Sequence, residues 1–271
     1  MRILDGKELA GFIEERQSRQ VRALRQASHI APKLAIIQTI DNPVIDTYVH
    51  LKQQYGEDIL VDVAIHKIDQ ADLMTTIAQL NDDDSVHGII IQLPLADKNQ
   101  TEEAVNAVAP HKDVDGLGEN ALLTPATAMA IDWLLAGYNV DLKGKKIAII
   151  GKGRLVGAPL ERLWQTTGYD VSVYDDSTED LASAVRSSNI VVTATGVPSL
   201  IRSQMLQPGA VVVDAGTAAE HGKIVGDLAT DVRERTDLTI TPEKGGVGPL
   251  TVTALFDNVI QAAKATEVLD A

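Results

Sequence analysis

Two side chains that could act on one ligand, Tyr48 and Lys52, are four positions apart in the sequence. In a helix this spacing places the phenol and the amine on one face, so both could contact the same bound molecule. A lysine becomes useful as a base near neutral pH when burial or suitable neighbours lower its pKa. Because a lysine on a helix is more often a solvated surface residue, the pair alone does not establish an active site.

Two further polar side chains, Gln92 and Asp115, come directly after predicted strands. Open parallel sheets bind ligands at the carboxyl ends of their strands, so both are candidates for one site. Pro94 would stiffen the loop that orients Gln92. A structural interpretation is also available, because a glutamine can cap a strand and Asp115-Gly116 is favourable turn chemistry. Together with Tyr48 and Lys52, these residues suggest an enzyme.

A glycine-rich turn lies between a predicted apolar strand and a predicted helix in the second half of the chain. Its candidate ligand-binding residues are Gly151, Lys152, Gly153, Arg154, Val156 and Gly157. Such a turn lets the backbone approach a pyrophosphate, and the helix N-terminus stabilises the negative charge. The last glycine falls one residue beyond the usual Gly-x-Gly-x-x-Gly spacing, and a tight turn without a ligand is the competing interpretation. The flanking strand and helix favour dinucleotide binding.

Two aspartates, Asp175 and Asp176, follow the next predicted strand, a little over twenty residues after the first glycine. A carboxylate at this point can accept hydrogen bonds from the adenosine ribose and would repel a 2′-phosphate, which favours NAD. Lys152 and Arg154 favour the opposite choice, because either could pair with that phosphate. A solvated loop is the competing interpretation of the two aspartates.

The composition excludes several classes of protein and site. The chain has 271 residues and a net charge of −14, from 24 basic and 38 acidic side chains. This length favours two domains, and the acidic charge argues against a nucleic-acid partner. The sequence contains no cysteine, which excludes disulfides, thiolate nucleophiles and zinc-thiolate sites.

Other familiar motifs are missing from the sequence. The six histidines, His29, His50, His66, His87, His111 and His221, have no metal-ligand spacing, so no metal is predicted. There is no Gly-x-Ser-x-Gly motif of a serine nucleophile. No apolar run approaches the roughly 20 residues of a membrane span, and the first residues lack the apolar region of a signal peptide. These observations predict a cytoplasmic protein.

Predicted strands and helices alternate along the chain. Short apolar runs predict strands at residues 33–39, 59–66, 88–92, 147–150, 170–174, 190–195, 210–214 and 238–241. Helices are predicted at residues 7–28, 71–80, 101–108, 120–137, 158–166 and from 249 to about 265, with one more that carries Tyr48 and Lys52 and ends near Gly56. The strands lack polar/apolar alternation, which predicts an α/β fold with parallel sheets covered on both faces.

In this order, the segments resemble the methylenetetrahydrofolate dehydrogenase/cyclohydrolase family over nearly the whole chain. The resemblance rests on Tyr48-Val49-x-x-Lys52 and on residues 88–95, 112–117, 156–159, 208–214 and 245–251. It implies a two-domain α/β fold with a cleft between the domains. The first would be a folate-binding catalytic domain of residues 1–120 plus 249–271, a three-layer parallel-sheet domain on which the final helix packs back. The second would be a Rossmann-type dinucleotide-binding domain of residues 121–248, and the protein is expected to form a homodimer.

The resemblance also implies a reaction in one-carbon metabolism. A hydride would pass from 5,10-methylenetetrahydrofolate to NAD or NADP, and water would then open the methenyl cation to give 10-formyltetrahydrofolate. Lys52 would be the general base of the hydrolysis, with its pKa tuned by Gln92. Tyr48 would stack on the folate, and Asp115 would anchor the pterin. A neutral lysine suits this role, because the methenyl intermediate is a cation.

The resemblance extends both binding sites beyond these residues. The expected substrate-binding residues are Tyr48, Lys52, Gln92, Pro94, Asp115, Gly246 and Pro249. The expected cofactor-binding residues are Gly151, Lys152, Gly153, Arg154, Val156, Gly157, Asp175, Asp176, Thr195, Gly196, Gly216 and Thr217.

The chain departs from the family pattern mainly on the cofactor side. Gly151-Lys152-Gly153 replaces the usual Gly-Arg-Ser, and Asp175-Asp176 stands where the family has a serine that helps hold the NADP phosphate. Both changes favour NAD over NADP. A monofunctional NAD-linked dehydrogenase and a low-turnover folate- or nucleotide-binding protein are the alternatives. The complete set of Tyr48, Lys52, Gln92 and Asp115 argues against the second.

Overall fold

The computed structural model describes residues 1–220 and 223–269 of the chain. His221, one of the six histidines, lies outside the described residues. The chain divides into two compact units. The three-stranded unit comprises residues 11–126 and 252–269, and the six-stranded unit comprises residues 1–10 and 127–251. Among the described residues, no helix has the length and apolar character needed to cross a membrane.

The helices and strands alternate along most of the chain. The strands are β1 Arg2–Ile3, β2 Lys33–Gln38, β3 Asp62–Lys67, β4 Gly88–Ile91, β5 Lys146–Ile150, β6 Asp170–Tyr174, β7 Ile190–Thr193, β8 Val211–Asp214, β9 Ala218–Glu220, β10 Lys223–Val225 and β11 Thr239–Ile240. The α-helices are α1 Gly6–Ala23, α2 Pro43–Ile59, α3 Leu73–Asp82, α4 Thr101–Ala107, α5 Ala126–Gly137, α6 Gly157–Thr166, α7 Leu181–Arg186, α8 Thr230–Arg233 and α9 Val247–Leu269. A π-helical turn, Leu24–Ser28, continues α1.

The three-stranded unit contains a parallel sheet with strand order β3-β2-β4. All four residues of β4 are buried, as are the last five of β2, so these strands show no alternation of polar and apolar residues. The strand order reverses at β2, and open α/β sheets bind their ligands outside the carboxyl ends of strands at such a reversal. Gln92 directly follows β4 at this end of the sheet.

The six-stranded unit contains a parallel sheet with strand order β1-β11-β8-β7-β5-β6. The order reverses at β5, and the glycine-rich turn begins at Gly151, immediately after this strand. A short antiparallel pair, β9 and β10, lies outside the main sheet. The predicted α/β class with parallel sheets is confirmed.

The two compact units divide the chain at points that differ from the predicted domain boundaries. Residues 1–10 belong to the six-stranded unit, whereas the prediction assigned them to the folate-binding domain. The physical reason is that β1 pairs with β11, and Lys7 N donates a hydrogen bond to Gly245 O over 2.9 Å. Residues 252–269 of α9 belong to the three-stranded unit, which agrees with a final helix that packs back on that part of the chain.

Several predicted element boundaries were wrong. The helix predicted for residues 120–137 begins at Ala126, and Gly116 packs tightly against Leu123 and Pro125, which keeps the preceding segment out of the helix. The strand predicted at 59–66 begins at Asp62, because α2 continues to Ile59. The strands β1, β9 and β10 and the helices α7 and α8 were not predicted.

The sequence predicted that the helix carrying Lys52 ends near Gly56. This prediction was wrong, because α2 continues to Ile59. Gly56 lies inside α2, where it is buried. A Cβ atom at this position would lie 2.5 Å from Val63 Cγ2 and 3.0 Å from Val61 O. The glycine is therefore required by close packing of α2 on β3 and not by the conformation of a helix end.

We expect the substitutions Gly56→Ala and Gly11→Ala to change stability in opposite directions. Alanine is the better helix former by about 1 kcal/mol, and at exposed Gly11 in α1 an added Cβ meets no atom within 4 Å. At Gly56 the clash should outweigh this gain and destabilise the protein by about 1–3 kcal/mol. Urea unfolding followed by circular dichroism measures both changes, and a stabilised Gly56→Ala variant would contradict the packing argument.

Candidate active site

Helix α2 carries Tyr48 and Lys52 on one face, with Tyr55 one turn further on. The helix begins at Pro43, a residue suited to the first helical position because it needs no amide partner there. Tyr55 fixes the helix in place: its ring centroid lies 5.1 Å from that of Phe256, and its hydroxyl donates to Gln17 Oε1 over 2.7 Å. The side chain of Gln17 is itself fully buried. The face that presents Lys52 is therefore held by packing as well as by its own helix.

Lys52 and Gln92 are brought together across the three-stranded unit. Lys52 Nζ donates a hydrogen bond to Gln92 Oε1 over 2.8 Å. Burial lowers the pKa of Lys52 from its ordinary value, and the negative charge of Asp115 opposes this effect. The result is an amine with a greater neutral fraction than a surface lysine, which is the property a general base requires.

Gln92 is held at the end of β4 by its own backbone. Its N–H donates to Ile37 O over 2.9 Å, which extends the pairing of β4 with β2 by one residue. Its side-chain Nε2 donates to Leu93 O over 3.1 Å. With the amide nitrogen so engaged, the oxygen of the side chain faces Lys52. The following peptide, Leu93–Pro94, is cis, and Pro94 is exposed.

Asp115 is presented by a turn that Asp113 builds. The Asp113 carboxylate accepts hydrogen bonds from the backbone N–H groups of Gly116 over 2.9 Å and of Gly118 over 2.8 Å. Gly116 has a φ of +68°, in the left-handed region that favours glycine. Burial raises the pKa of Asp115, whereas the nearby charge of Lys52 lowers it. The two groups thus interact electrostatically as well as sharing a unit.

Asn258 supports this turn, and the sequence analysis did not identify it as a candidate residue. Its buried Nδ2 donates to Val114 O and to Thr124 O, each over 2.9 Å. These two carbonyls flank the turn that contains Asp115, so Asn258 fixes both sides of it. A polar residue on the otherwise apolar face of a final helix was the available signal, but nothing in the local sequence indicates its partners.

Lys112 belongs to the same motif as Asp115 but has a structural position. Its Nζ donates to the carbonyls of Leu80, Asn81 and Asp83 over 3.1, 2.8 and 2.8 Å. These carbonyls come from the C-terminal end of α3 and the residue that follows it. All three N–H groups are therefore used. Burial lowers the pKa of Lys112, and the surrounding aspartates oppose this.

The glycine-rich turn of the six-stranded unit has the shape that a pyrophosphate requires. Gly151 has a φ of +99°, and a Cβ at Gly157 would lie 1.8 Å from Gly151 O, so both positions need glycine. A Cβ at Gly153 would meet no atom within 4 Å, which leaves the backbone open to approach. Helix α6 begins at Gly157, and the preceding residue, Val156, provides no side-chain cap for its first amides. These features fit the phosphates of a dinucleotide.

The basic residues of this turn lie beside acidic neighbours. Lys152 is exposed, and its Nζ lies 3.9 Å from Glu161 Oε2 in α6. The charge of Lys152 also lowers the pKa of Asp175, although hydrogen bonds from Ser177 have the larger effect. Arg154 is partly buried in the same turn.

Asp175 and Asp176 differ in what holds them at the end of β6. Asp175 Oδ1 accepts hydrogen bonds from Ser177 N over 3.0 Å and from Ser177 Oγ over 2.6 Å, so this carboxylate closes its own turn. Both aspartates are exposed, and Asp176 lies between Asp175 and Ser177 in that turn. Of the two carboxylates, that of Asp176 has the freer access to a bound ribose.

The remaining candidate residues lie in turns of the six-stranded unit. Thr195 and Gly196 follow β7, and Gly216 and Thr217 follow β8. Gly246 and Pro249 lie at the start of α9, where the turn at Gly245 and Gly246 packs against Gly6: a Cβ on Gly6 would lie 1.8 Å from Gly246 O. By the division of the chain, Gly246 and Pro249 belong to the six-stranded unit and Lys52 to the three-stranded unit.

Lys112 and Lys52, two lysines whose pKa is lowered by burial, should respond differently to replacement by methionine. Lys112→Met leaves three carbonyls without their donor, which we expect to destabilise the protein by about 2–4 kcal/mol. Lys52→Met removes a partly buried amine with one described hydrogen bond, and stability should stay within about 1 kcal/mol of the original protein. Denaturant unfolding of the two variants side by side measures the difference. Equal destabilisation would remove the distinction between a structural and a chemical lysine.

Comparison with protein families matches both parts of the chain. Residues 4–115 match the model described as the catalytic domain of tetrahydrofolate dehydrogenase/cyclohydrolase. Residues 125–267 match the model described as the NAD(P)-binding domain of the same family. The two matches together cover most of the sequence.

Individual relatives are similar over nearly their full length. The bifunctional protein FolD of Exiguobacterium sibiricum is 34% identical over 276 residues, which cover 97% of this chain and 99% of the relative. The crystal structure of the bifunctional enzyme FolD, a methylenetetrahydrofolate dehydrogenase/cyclohydrolase from Campylobacter jejuni, superimposes with a TM-score of 0.93 at 35% identity, covering 98% of this chain and 99% of that one.

A further solved structure carries a nucleotide. The methylenetetrahydrofolate dehydrogenase-cyclohydrolase of Trypanosoma brucei, complexed with NADP cofactor and an inhibitor, superimposes with a TM-score of 0.90 at 30% identity, covering 97% of each chain. With two matching domain models and full-length relatives, the resemblance seen in the sequence is confirmed: this chain belongs to the tetrahydrofolate dehydrogenase/cyclohydrolase family.

Proposed function

We propose that this protein oxidises 5,10-methylenetetrahydrofolate to the 5,10-methenyl form with NAD or NADP and hydrolyses the methenyl form to 10-formyltetrahydrofolate. The observation that carries the proposal is the hydrogen bond of 2.8 Å between Lys52 Nζ and Gln92 Oε1, made by a lysine whose pKa is lowered by burial. The bifunctional relatives and both domain models support the same pair of activities.

Lys52 acts as the general base of the hydrolysis. Water adds to the cationic methenyl carbon, and a proton of that water passes to the neutral amine. One carbon–nitrogen bond of the five-membered ring then breaks, and the released nitrogen takes up a proton to leave the formyl group on the other nitrogen. A neutral amine is favoured beside the cationic substrate because an ammonium would repel it.

Gln92 and Asp115 set the conditions for this base. Gln92 accepts a hydrogen bond from the amine without bringing a negative charge, so it orients Lys52 and does not favour the ammonium form as a carboxylate would. Asp115 supplies a carboxylate that can accept hydrogen bonds from N–H groups of the pterin. Tyr48, half-buried one helical turn before Lys52, offers its ring for stacking on the folate, and Pro94, Gly246 and Pro249 complete the proposed substrate-binding set.

The six-stranded unit holds the nicotinamide cofactor. When bound, the nicotinamide accepts the hydride. The chain's contribution is to bind the phosphates at the turn of Gly151, Gly153 and Gly157, where the backbone is open and α6 begins. Lys152, Arg154 and Val156 belong to the same turn. Thr195, Gly196, Gly216 and Thr217, at the ends of β7 and β8, form the proposed nicotinamide side of the site.

NAD is the proposed cofactor of choice. The exposed carboxylate of Asp176 would repel the 2′-phosphate of NADP. Its neighbour Asp175 carries a second negative charge, because hydrogen bonds from Ser177 lower the pKa of its carboxyl group. Lys152 lies near Asp175, and the carboxylate partly offsets the positive charge of Lys152.

The homodimer implied by the resemblance is also proposed, on the resemblance alone, and sedimentation velocity tests it.

Replacing Lys52 tests the hydrolytic half of the proposal. Lys52→Met should lower the rate of methenyl hydrolysis, above the rate without enzyme, by roughly 10²- to 10⁴-fold, the usual contribution of a general base. In the original protein the rate should rise with pH through the lysine pKa, because only the neutral amine accepts a proton. Lys98→Met removes an exposed lysine of the same unit and should change neither rate nor pH profile.

The outcomes of that assay separate the alternatives. Normal hydrolysis by Lys52→Met would remove Lys52 from the mechanism. An original protein that reduces NAD but does not hydrolyse the methenyl form would be a monofunctional dehydrogenase. Folate binding without an absorbance change with either cofactor would identify a low-turnover binding protein.

Cofactor choice is tested by kcat/KM for NAD and NADP with methylenetetrahydrofolate. NAD should be preferred, and Asp176→Ser should reduce that preference by about tenfold, the effect of removing roughly 1.4 kcal/mol of repulsion from the 2′-phosphate. Asp170→Ser removes an exposed aspartate from the opposite end of the same strand, β6, and is the matched control. A clear preference of the original protein for NADP would refute the argument from the aspartates.

A further inference from the structure

One aspartate that the proposed chemistry does not use, Asp227, is fully buried in the six-stranded unit. Its Oδ2 accepts three hydrogen bonds: from Thr193 Oγ1 over 2.6 Å, from Thr195 N over 2.7 Å and from Thr195 Oγ1 over 2.9 Å. Thr193 is the last residue of β7, and Thr195 begins the turn that follows it. A single carboxylate oxygen thus fixes the end of this strand.

The other oxygen of Asp227 faces the turn after β8. A Cβ on Gly216 would lie 2.0 Å from Asp227 Oδ1, so the carboxylate occupies the space that a side chain at position 216 would need. This oxygen is buried and accepts no hydrogen bond from the described residues. Asp227 therefore sits between the turns that follow β7 and β8 and contacts both.

A second aspartate, Asp214, connects the turn after β8 with the segment that contains Asp227. Its Oδ1 accepts hydrogen bonds from Gly216 N over 3.1 Å and from Asp227 N over 3.0 Å. Arg233 Nη2 lies 3.3 Å from Asp214 Oδ2 and provides a compensating positive charge. Burial raises the pKa of Asp214, and the charge of Asp227 adds to this rise. Burying two interacting carboxylates has a cost in folding free energy that an interior of apolar side chains would avoid.

The turns held by this pair are also in contact with one another. A Cβ on Gly196, which has a φ of +68°, would lie 3.2 Å from Thr217 O. A Cβ on Gly151 would lie 2.7 Å from Ala194 O. The glycine-rich turn, the turn after β7 and the turn after β8 therefore form one contiguous surface at the carboxyl ends of β5, β7 and β8.

We propose that Asp227 is a positioning residue of the nicotinamide site, which fixes residues 194–197 and 214–217 in the arrangement that binds the cofactor without touching it. This inference rests on the proposed function, because it assigns those turns to the nicotinamide. Asp227 acts on Thr195 through hydrogen bonds and on Gly216 through close packing. Its carboxylate holds Thr195 more strongly than an amide would, since hydrogen bonds to a charged acceptor are the stronger ones.

The test uses Asp227→Asn, which keeps the shape of the side chain, and Thr193→Val, which removes one of the three hydrogen bonds. Calorimetry with NAD and with NADP should give a Kd about tenfold weaker for Asp227→Asn and a smaller change in the same direction for Thr193→Val. Hydrogen exchange of the Thr195 amide should become faster. Hydrolysis of supplied methenyltetrahydrofolate, per folded molecule, should stay within about twofold because that step requires no nucleotide.

Asp237→Asn is the matched control. This aspartate lies in the same unit, accepts hydrogen bonds from Gly209 N over 3.1 Å and from Arg235, and contacts none of the three turns in the described structure. It should leave the Kd for both cofactors unchanged. An unchanged Kd for Asp227→Asn, or a loss of hydrolysis in proportion to the loss of cofactor binding, would overturn the proposal and leave Asp227 a general structural residue.

Failure of the proposed function gives a different result. An original protein that binds a cofactor but transfers no hydride would refute the dehydrogenase activity, while the Kd values would still decide whether Asp227 positions the site. An original protein that binds neither NAD nor NADP would overturn both proposals.

Discussion

In the proposed hydrolysis the amine of Lys52 must stay neutral beside a carboxylate, and this requirement constrains the whole three-stranded unit. Asp115 favours the ammonium form of Lys52, whereas burial favours the neutral amine and has the larger effect on its pKa. Burial of this kind lasts only while the surrounding elements exclude water. The packing of Tyr55 on Phe256 and the hydrogen bonds of Asn258 therefore support the proposed proton chemistry, although neither residue needs to contact a substrate.

Burial lowers the pKa of two lysines in this unit, and their hydrogen bonds distinguish them. Lys112 gives all three of its N–H groups to backbone carbonyls, so it is committed to holding the end of α3. Lys52 has one described hydrogen bond, to a neutral amide oxygen. A shifted pKa indicates a functional residue only when the group also has hydrogen-bonding capacity left for a ligand and lies in a suitable position. The six-stranded unit offers a parallel case in Asp214, whose pKa is raised by burial and whose carboxylate accepts hydrogen bonds from the backbone of Gly216 and Asp227.

The sequence predicted the fold class correctly, because the class depends on local patterns. It also singled out Lys52 and Gln92, which form a hydrogen bond of 2.8 Å, whereas the roles of these residues stay predictions. Strands such as β5 and β7 are apolar runs buried on both faces, and their lack of alternation is visible without a structure. The end of α2 was predicted incorrectly, because glycine is required at position 56 by its close contact with Val63 and not by a local signal for a helix end. Asn258 and Asp227 could not be identified from the sequence, since their side-chain partners lie 134–144 and 32–34 positions away and no local spacing records such pairing.

The contribution of α9 to the three-stranded unit has a consequence for the order in which the molecule can be completed. Phe256 and Asn258 belong to residues 252–269, whereas the elements that they support, α2 and the turn of Asp115, are more than a hundred positions earlier in the chain. A ribosome releases those earlier elements while residues 127–251 of the six-stranded unit are still to be made. Until α9 emerges, the carbonyls of Val114 and Thr124 have no amide from Asn258, and Tyr55 has no ring to pack against. The surroundings of Lys52 are thus complete only after α9, which lies more than a hundred positions later in the chain, has been synthesised.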